Sequence, residues 1–194
     1  IQEQGFAIMR DTRVAGVSDA DLKARYDLAQ AVTAKVTEAN KAVLQVRGLR
    51  AQAEAQAKVK PLPVPVTALL AKLAAVEAEI YQVKNESRQD PLNYPIKLND
   101  KLAGLIGVID SADAVPTDGA RAVFADLSGQ LARQLQALET ALTELPAVNA
   151  ALQAAGLKPL DRVKSPAGYC LLRRRSNTGR RTLPLLSVII RLWL

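Results

Sequence analysis

The chain has no histidine and a single cysteine, Cys170. Without histidine neither a Ser-His-Asp nor a Cys-His arrangement can be built, and one lone thiol leaves no zinc site of the usual ligands and no internal disulfide. Aromatic residues make up 4% of the 194 residues, too few for a stacking platform on nucleic acid or an aromatic sugar-binding cleft. Long apolar runs are missing as well. The apolar stretch from Leu183 to Leu194 is interrupted by Ser187 and Arg191 and covers twelve residues, where a membrane-spanning helix needs about 20. No basic segment followed by an apolar one opens the chain, so no signal peptide is read there. A start at Ile1 rather than Met is what a processed product or an internal fragment would show.

The formal charge of +7 sits at one end. Residues 1–160 carry 18 of the 26 Lys and Arg and 18 of the 19 Asp and Glu, a balance of zero, so residues 161–194 hold the whole excess. The main body therefore has no electrostatic reason to seek nucleic acid. In the tail, Arg173-Arg174-Arg175 and Arg180-Arg181 flank a Ser-Asn-Thr-Gly turn and could take an anionic partner: phosphate, RNA or an anionic membrane surface. The composition changes abruptly at Asp161. Arginine replaces lysine and the chain's cysteine and tryptophan appear, as a reading-frame change in a GC-rich gene, or a disordered appendage, would produce.

What the chain does contain is helical periodicity, and its length allows one compact domain with a sizeable core. Ser18 followed by Asp21 reads as a capping box, with Val17 and Leu22 as its hydrophobic staple. From there Leu22, Ala29, Val36 and Val43 repeat every seven residues, interleaved by Val32, Ala39 and Val46; this predicts a helix from Asp19 to Lys58 with a seam for a neighbour. Asp19 with Lys23, Asp21 with Arg25 and Glu54 with Lys58 have i,i+4 spacing on its wet side. Gly48 is the expected point of bending or fraying. Pro61, Pro63 and Pro65 then enforce an extended link. A second helix carries Val66, Leu69, Leu73, Val76, Ile80 and Val83 and is expected to end near Asn85. A third, after Tyr94-Pro95, carries Leu98, Leu102, Leu105 and Ile109. Thr117 and Asp118 cap a fourth, striped by Phe124, Leu127, Leu131, Leu135, Leu138 and Leu142, and a short fifth helix closes at Gly156. Residues 4–9, with Phe6 and Ile8 on one side, read as a strand remnant.

The expected fold is thus all-α: an antiparallel bundle of about four helices with a short fifth, preceded by a strand remnant. Residues 1–17 would be the end of an upstream β-domain and linker, 18–160 the bundle, and 161–194 the basic and apolar tail.

Few residues invite chemistry. Asp110, Asp113 and Asp118 gather around one turn and can be drawn as paired acid and base carboxylates, although caps and turns want aspartate for their own reasons. Gly104-Leu105-Ile106-Gly107 has the spacing of a loop that clamps nucleic-acid backbone, but it falls inside an apolar helix, where small residues are expected to permit close packing. Asn85-Glu86-Ser87 has the form of a glycosylation acceptor. None of these amounts to a catalytic residue, a cofactor site or a metal ligand set.

The order of parts nevertheless resembles a known family. Phe6 and Ile8, then Asp11-Thr12-Arg13-Val14, Ser18-Asp19-Ala20-Asp21-Leu22, two helices, Tyr94-Pro95-Ile96-Lys97-Leu98-Asn99-Asp100-Lys101-Leu102 and Ser111-Ala112-Asp113-Ala114-Val115-Pro116-Thr117 resemble the C-terminal region of bacterial sortilin-like, BNR-repeat proteins of glycosyl hydrolase type. The resemblance covers residues 4–160. It implies an upstream β-propeller as partner within the same parent protein, and an extracytoplasmic or secreted setting. Thr12 stands where that family usually has proline, and the family's Ser-x-Asp-x-Gly-x-x-Trp boxes and sialidase-like arginines have no counterpart in this chain, so no catalytic residue is carried over. The resemblance implies a non-catalytic bundle with a packing or interaction role. The alternative is a free-standing coiled-coil adaptor assembling through helix 1.

Overall fold

The computed structural model describes residues 15–87 and 89–163, with Gly5, Ala7, Met9 and Asp11 as isolated positions before them. Five α-helices follow one another: α1 Asp19–Ala57, α2 Val64–Ile80, α3 Leu98–Ile109, α4 Asp118–Leu142 and α5 Leu145–Ala154, with one 3-10 turn at Asp90–Leu92. There is no strand among the described residues. The strand remnant expected over 4–9 lies largely outside them, as do the arginine clusters of the tail.

Helix starts follow the chemistry of their first residues. The Ser18 hydroxyl accepts from the Asp21 amide while the Asp21 carboxylate accepts from the Ser18 amide, a complete capping box. Thr117 Oγ1 accepts from the Ala120 amide at the head of α4. Proline opens α2 and α5, where its missing N–H costs nothing. At the far end of α5, Gly156 adopts φ +74, Gly156 N–H donates to Gln153 O, and Leu157 N–H donates to Leu152 O. That pair of bonds is a Schellman cap, sealed by the buried Leu152 and Leu157.

α1, about 58 Å long at 1.5 Å per residue, is the spine. Its N-terminal part packs Leu28 and Val32 against Leu105 and Ile109 of α3 and Ala120 of α4. Its remaining length packs Ala39, Val43, Val46, Leu49 and Ala53 against α2, the start of α3, α4 and α5. α2 and α3 therefore share the length of α1, both running antiparallel to it, and α4 lies across both. The two core clusters are joined by Val36 and Phe124, which touch each of them. No described helix is long and apolar enough to cross a membrane.

Several expectations change. α2 ends at Ile80 rather than near Asn85, because Tyr81 turns extended at φ -130, ψ 142, and Val83 is left exposed. α1 continues as helix through Gly48 without fraying. A Cβ there would land inside Val163 Cγ2, so the glycine makes room for a chain segment crossing the helix. The folded unit consequently runs past Leu160: Gln52 holds both backbone groups of Asp161, and Val163 lies against Gly48. Gly104 and Gly107 face solvent with nothing near where a Cβ would be, so they mediate no close packing. The wet face of α1 pairs with other partners than expected: Lys23 takes Asp27, also at i,i+4, Asp21 serves the cap, Arg25 reaches the turn after α3, and Lys58 falls at the C-cap.

Candidate functional site

The three aspartates of the α3–α4 turn do not converge. Asp110 is the exposed C-cap of α3 and Asp118 opens α4. Asp113, in the turn between them, is ion-paired to Arg25 of α1, whose guanidinium also donates to Ala112 O at 2.7 Å. Asp110 and Asp113 line a groove of about 550 Å³ together with Arg25, Tyr26 and Ile106, and Asp118 lies outside it. Both carboxylates face water, and one is already neutralised.

The buried charge lies elsewhere. Glu77 of α2 is 1% exposed and accepts from Arg47 Nε at 2.6 Å and from Arg50 Nη2 at 2.8 Å, both on α1. The two arginines are three residues apart, so they rise from one face of α1 and meet the carboxylate as a fork. Arg47 also lies over the Tyr81 ring, 4.5 Å from its centre. The Glu77 carboxylate is the chief reason the Arg47 guanidinium is held above its ordinary range. Just past the helix, buried Gln82 donates to Pro95 O and accepts from Lys84 N–H, tying the 81–97 connection to itself. These groups fix how α1, α2 and the connection meet.

A second groove, of about 350 Å³, lies at the head of α3 and is lined by Lys97, Lys101 and Arg133 with Glu79, which pairs with Lys97. α3 has no side-chain cap here. Its charges are solvent-facing and no buried polar group points into it. Asn85-Glu86-Ser87 sits in a turn organised by Asp90: its carboxylate accepts from the Ser87 hydroxyl and from the Ser87 and Glu86 amides, which hold it below the usual aspartate value. Asn85 is half-buried with its Oδ1 out of solvent.

Sequence reasoning missed the Glu77 fork. Its signal was present: residue 77 lies four after Leu73 and three before Ile80, within the apolar stripe of α2, and a polar residue in a stripe needs a partner. It also missed a set of amide side chains, Gln52, Gln56 and Asn149, that grip the chain after α5. Among the described residues no group of three or more His, Cys, Asp and Glu is placed to hold a metal ion. No protein-family model, no curated protein and no solved structure matches the chain.

Proposed function

We propose that this chain is a non-catalytic helical bundle with a packing or interaction role, adjoining a β-propeller of the sortilin-like, BNR-repeat type. The observation that carries the non-catalytic reading is the fate of Glu77, the one buried carboxylate among the described residues: two arginines consume it in joining α1 to α2. Of the other acids, Asp21 and Asp90 serve a cap and a turn, and Asp27, Glu38, Asp113, Glu139 and Glu144 make exposed ion pairs. The adjoining propeller rests on the residue pattern over 4–160, and the groove beside Asp11, Tyr26 and Ile106 lies where the chain enters the bundle. An adaptor assembling through α1 would need that helix's seam free, whereas Val32, Ala39, Val46 and Ala53 are covered by the chain's own helices.

Two experiments test this reading. The purified chain is expected to turn over neither aryl glycosides nor sialosides; hydrolysis lost in Asp110→Asn or Asp113→Asn would place an active site at the α3–α4 turn. The reading frame upstream of the Ile1 codon is expected to encode propeller blades with aspartate boxes. An unrelated fold there would remove the propeller from the account.

A further inference from the structure

The segment after α5 is held in an unusual way. Gln56 donates to Lys158 O at 2.5 Å and accepts from Lys158 N–H at 2.8 Å. One helical turn earlier on the same face of α1, Gln52 donates to Asp161 O at 2.9 Å and accepts from Asp161 N–H at 2.8 Å. From α5, Asn149 does the same for Leu160, at 3.0 and 2.8 Å. Each carboxamide thus satisfies both backbone groups of one residue, as a neighbouring strand would, and reads no side chain. Between these bonds Leu157 and Leu160 are buried, and Val163 lies where Gly48 has no side chain. Residues 157, 160 and 163 recur every third position, the period of a polyproline II helix, and Pro159 occupies a position where no N–H is gripped.

From this geometry we infer that Gly48, Gln52 and Gln56 of α1, with Asn149 of α5, form a binding site for an extended peptide carrying an apolar residue at every third position. The chain's own residues 157–163 are its resident ligand. The ligand must offer backbone N–H groups at its second, fourth and fifth positions, counting Leu157 as first, and it tolerates proline at the third. A polyproline II segment suits such a site because its conformation is preformed and little entropy is lost on docking. The site can therefore accept such a segment in trans once the resident strap is lifted.

The test uses the full chain and a labelled peptide spanning residues 157–163. In the wild type the tethered strap competes at an effective concentration on the order of millimolar, so micromolar peptide is excluded. Leu160→Asp expels the strap and opens the site; this variant is expected to bind the peptide. The same peptide N-methylated at the amides of Lys158 and Asp161 should bind at least about tenfold more weakly. The inference is overturned if folded Leu160→Asp takes up the peptide no better than the wild type, or if N-methylation leaves binding unchanged. Should Leu160→Asp lose its helical circular dichroism, the double variant Gln52→Ala with Gln56→Ala decides by hydrogen exchange. Loss of protection at the Lys158 and Asp161 amides, with Leu131 still protected, is the expected result, and retained protection contradicts the clamp.

Discussion

Replacing Glu77 separates the electrostatic from the packing contribution of the α1–α2 junction. The carboxylate accepts from both Arg47 and Arg50 at 1% exposure, and a hydrogen bond to a charged group contributes about 1.5–3 kcal/mol. Both arginine side chains are more than a third exposed or close to it, at 46% and 35%, so solvent screens much of that gain and takes back their charge when the partner goes. Glu77→Gln keeps the shape and one acceptor but turns an amide N–H₂ toward the second guanidinium, donor against donor. It should destabilise by about 1–2 kcal/mol, below the 3–5 kcal/mol of a fully stranded buried charge. Glu77→Leu lets both arginines swing into water and buries an apolar group in the stripe of Leu73, Val76 and Ile80. Its cost should be the smaller of the two, within about 1 kcal/mol of wild type. Urea denaturation with unchanged m-values measures both. A loss for Glu77→Gln of under about 0.5 kcal/mol would mean the carboxylate is hydrated. A Leu variant worse than the Gln variant would refute the view that desolvation offsets the ion pairs.

Other perturbations bear on other parts of the fold. Leu138, 4% exposed on α4, should cost about 2–5 kcal/mol on truncation to alanine, and a surface-like loss in chemical denaturation would put that face in solvent. Gly48→Ala raises helix propensity by up to about 1 kcal/mol, but its Cβ would overlap Val163 Cγ2 at a cost of about 1–3 kcal/mol; melting should show a net loss, and a net gain would mean that Val163 yields freely and that Gly48 is not needed for the crossing. Asp21, through the Ser18 amide and then its hydroxyl, and Asp90, through the Ser87 hydroxyl and then the Ser87 and Glu86 amides, hold their carboxyls below the ordinary 3.8. The unfolded chain is then protonated first, so their stabilisation is present above about that pH and is lost as pH falls through the folded values. Protection of the Ser18, Glu86 and Ser87 amides, corrected for the intrinsic pH dependence of exchange, should fall on acidification below that point, and unchanged protection would contradict these bonds.

Much of this architecture is legible in the sequence where a single local pattern decides it. The stripes of α2 and α4, the Ser18–Asp21 box and the Gly156 stop each involve neighbours within one or two helical turns. The seam of α1 is only half legible. Val32, Ala39, Val43 and Val46 are buried as their spacing predicts, as is Ala53 one heptad further on, while Leu22, Ala29 and Val36 are half-buried and Leu28 and Leu49 join the core. A straight helix drifts about 20° per heptad, and α1 meets α3 along one part and α2 along another, so no one register describes its whole length. Gly48 was misread because its neighbour, Val163, is far away in sequence. Gln52, Gln56 and Asn149 look like ordinary solvated polar residues until the chain returns to them, and nothing local marks an amide that will grip a backbone. The aspartates drawn together by the turn between α3 and α4 are dispersed by their separate duties as cap, ion-pair partner and helix opener.

The central claim is that the seam of α1 is filled by the chain's own helices and is not left for another copy. Stability as a function of protein concentration tests it most directly, since an assembly that completes its core between copies gains apparent stability by mass action. The urea midpoint of the wild-type chain, measured over about a hundredfold range of concentration, is expected to stay constant. A midpoint that climbs with concentration would show that Val32, Ala39, Val46 and Ala53 find their partners in a second molecule, and the intramolecular bundle would have to be abandoned.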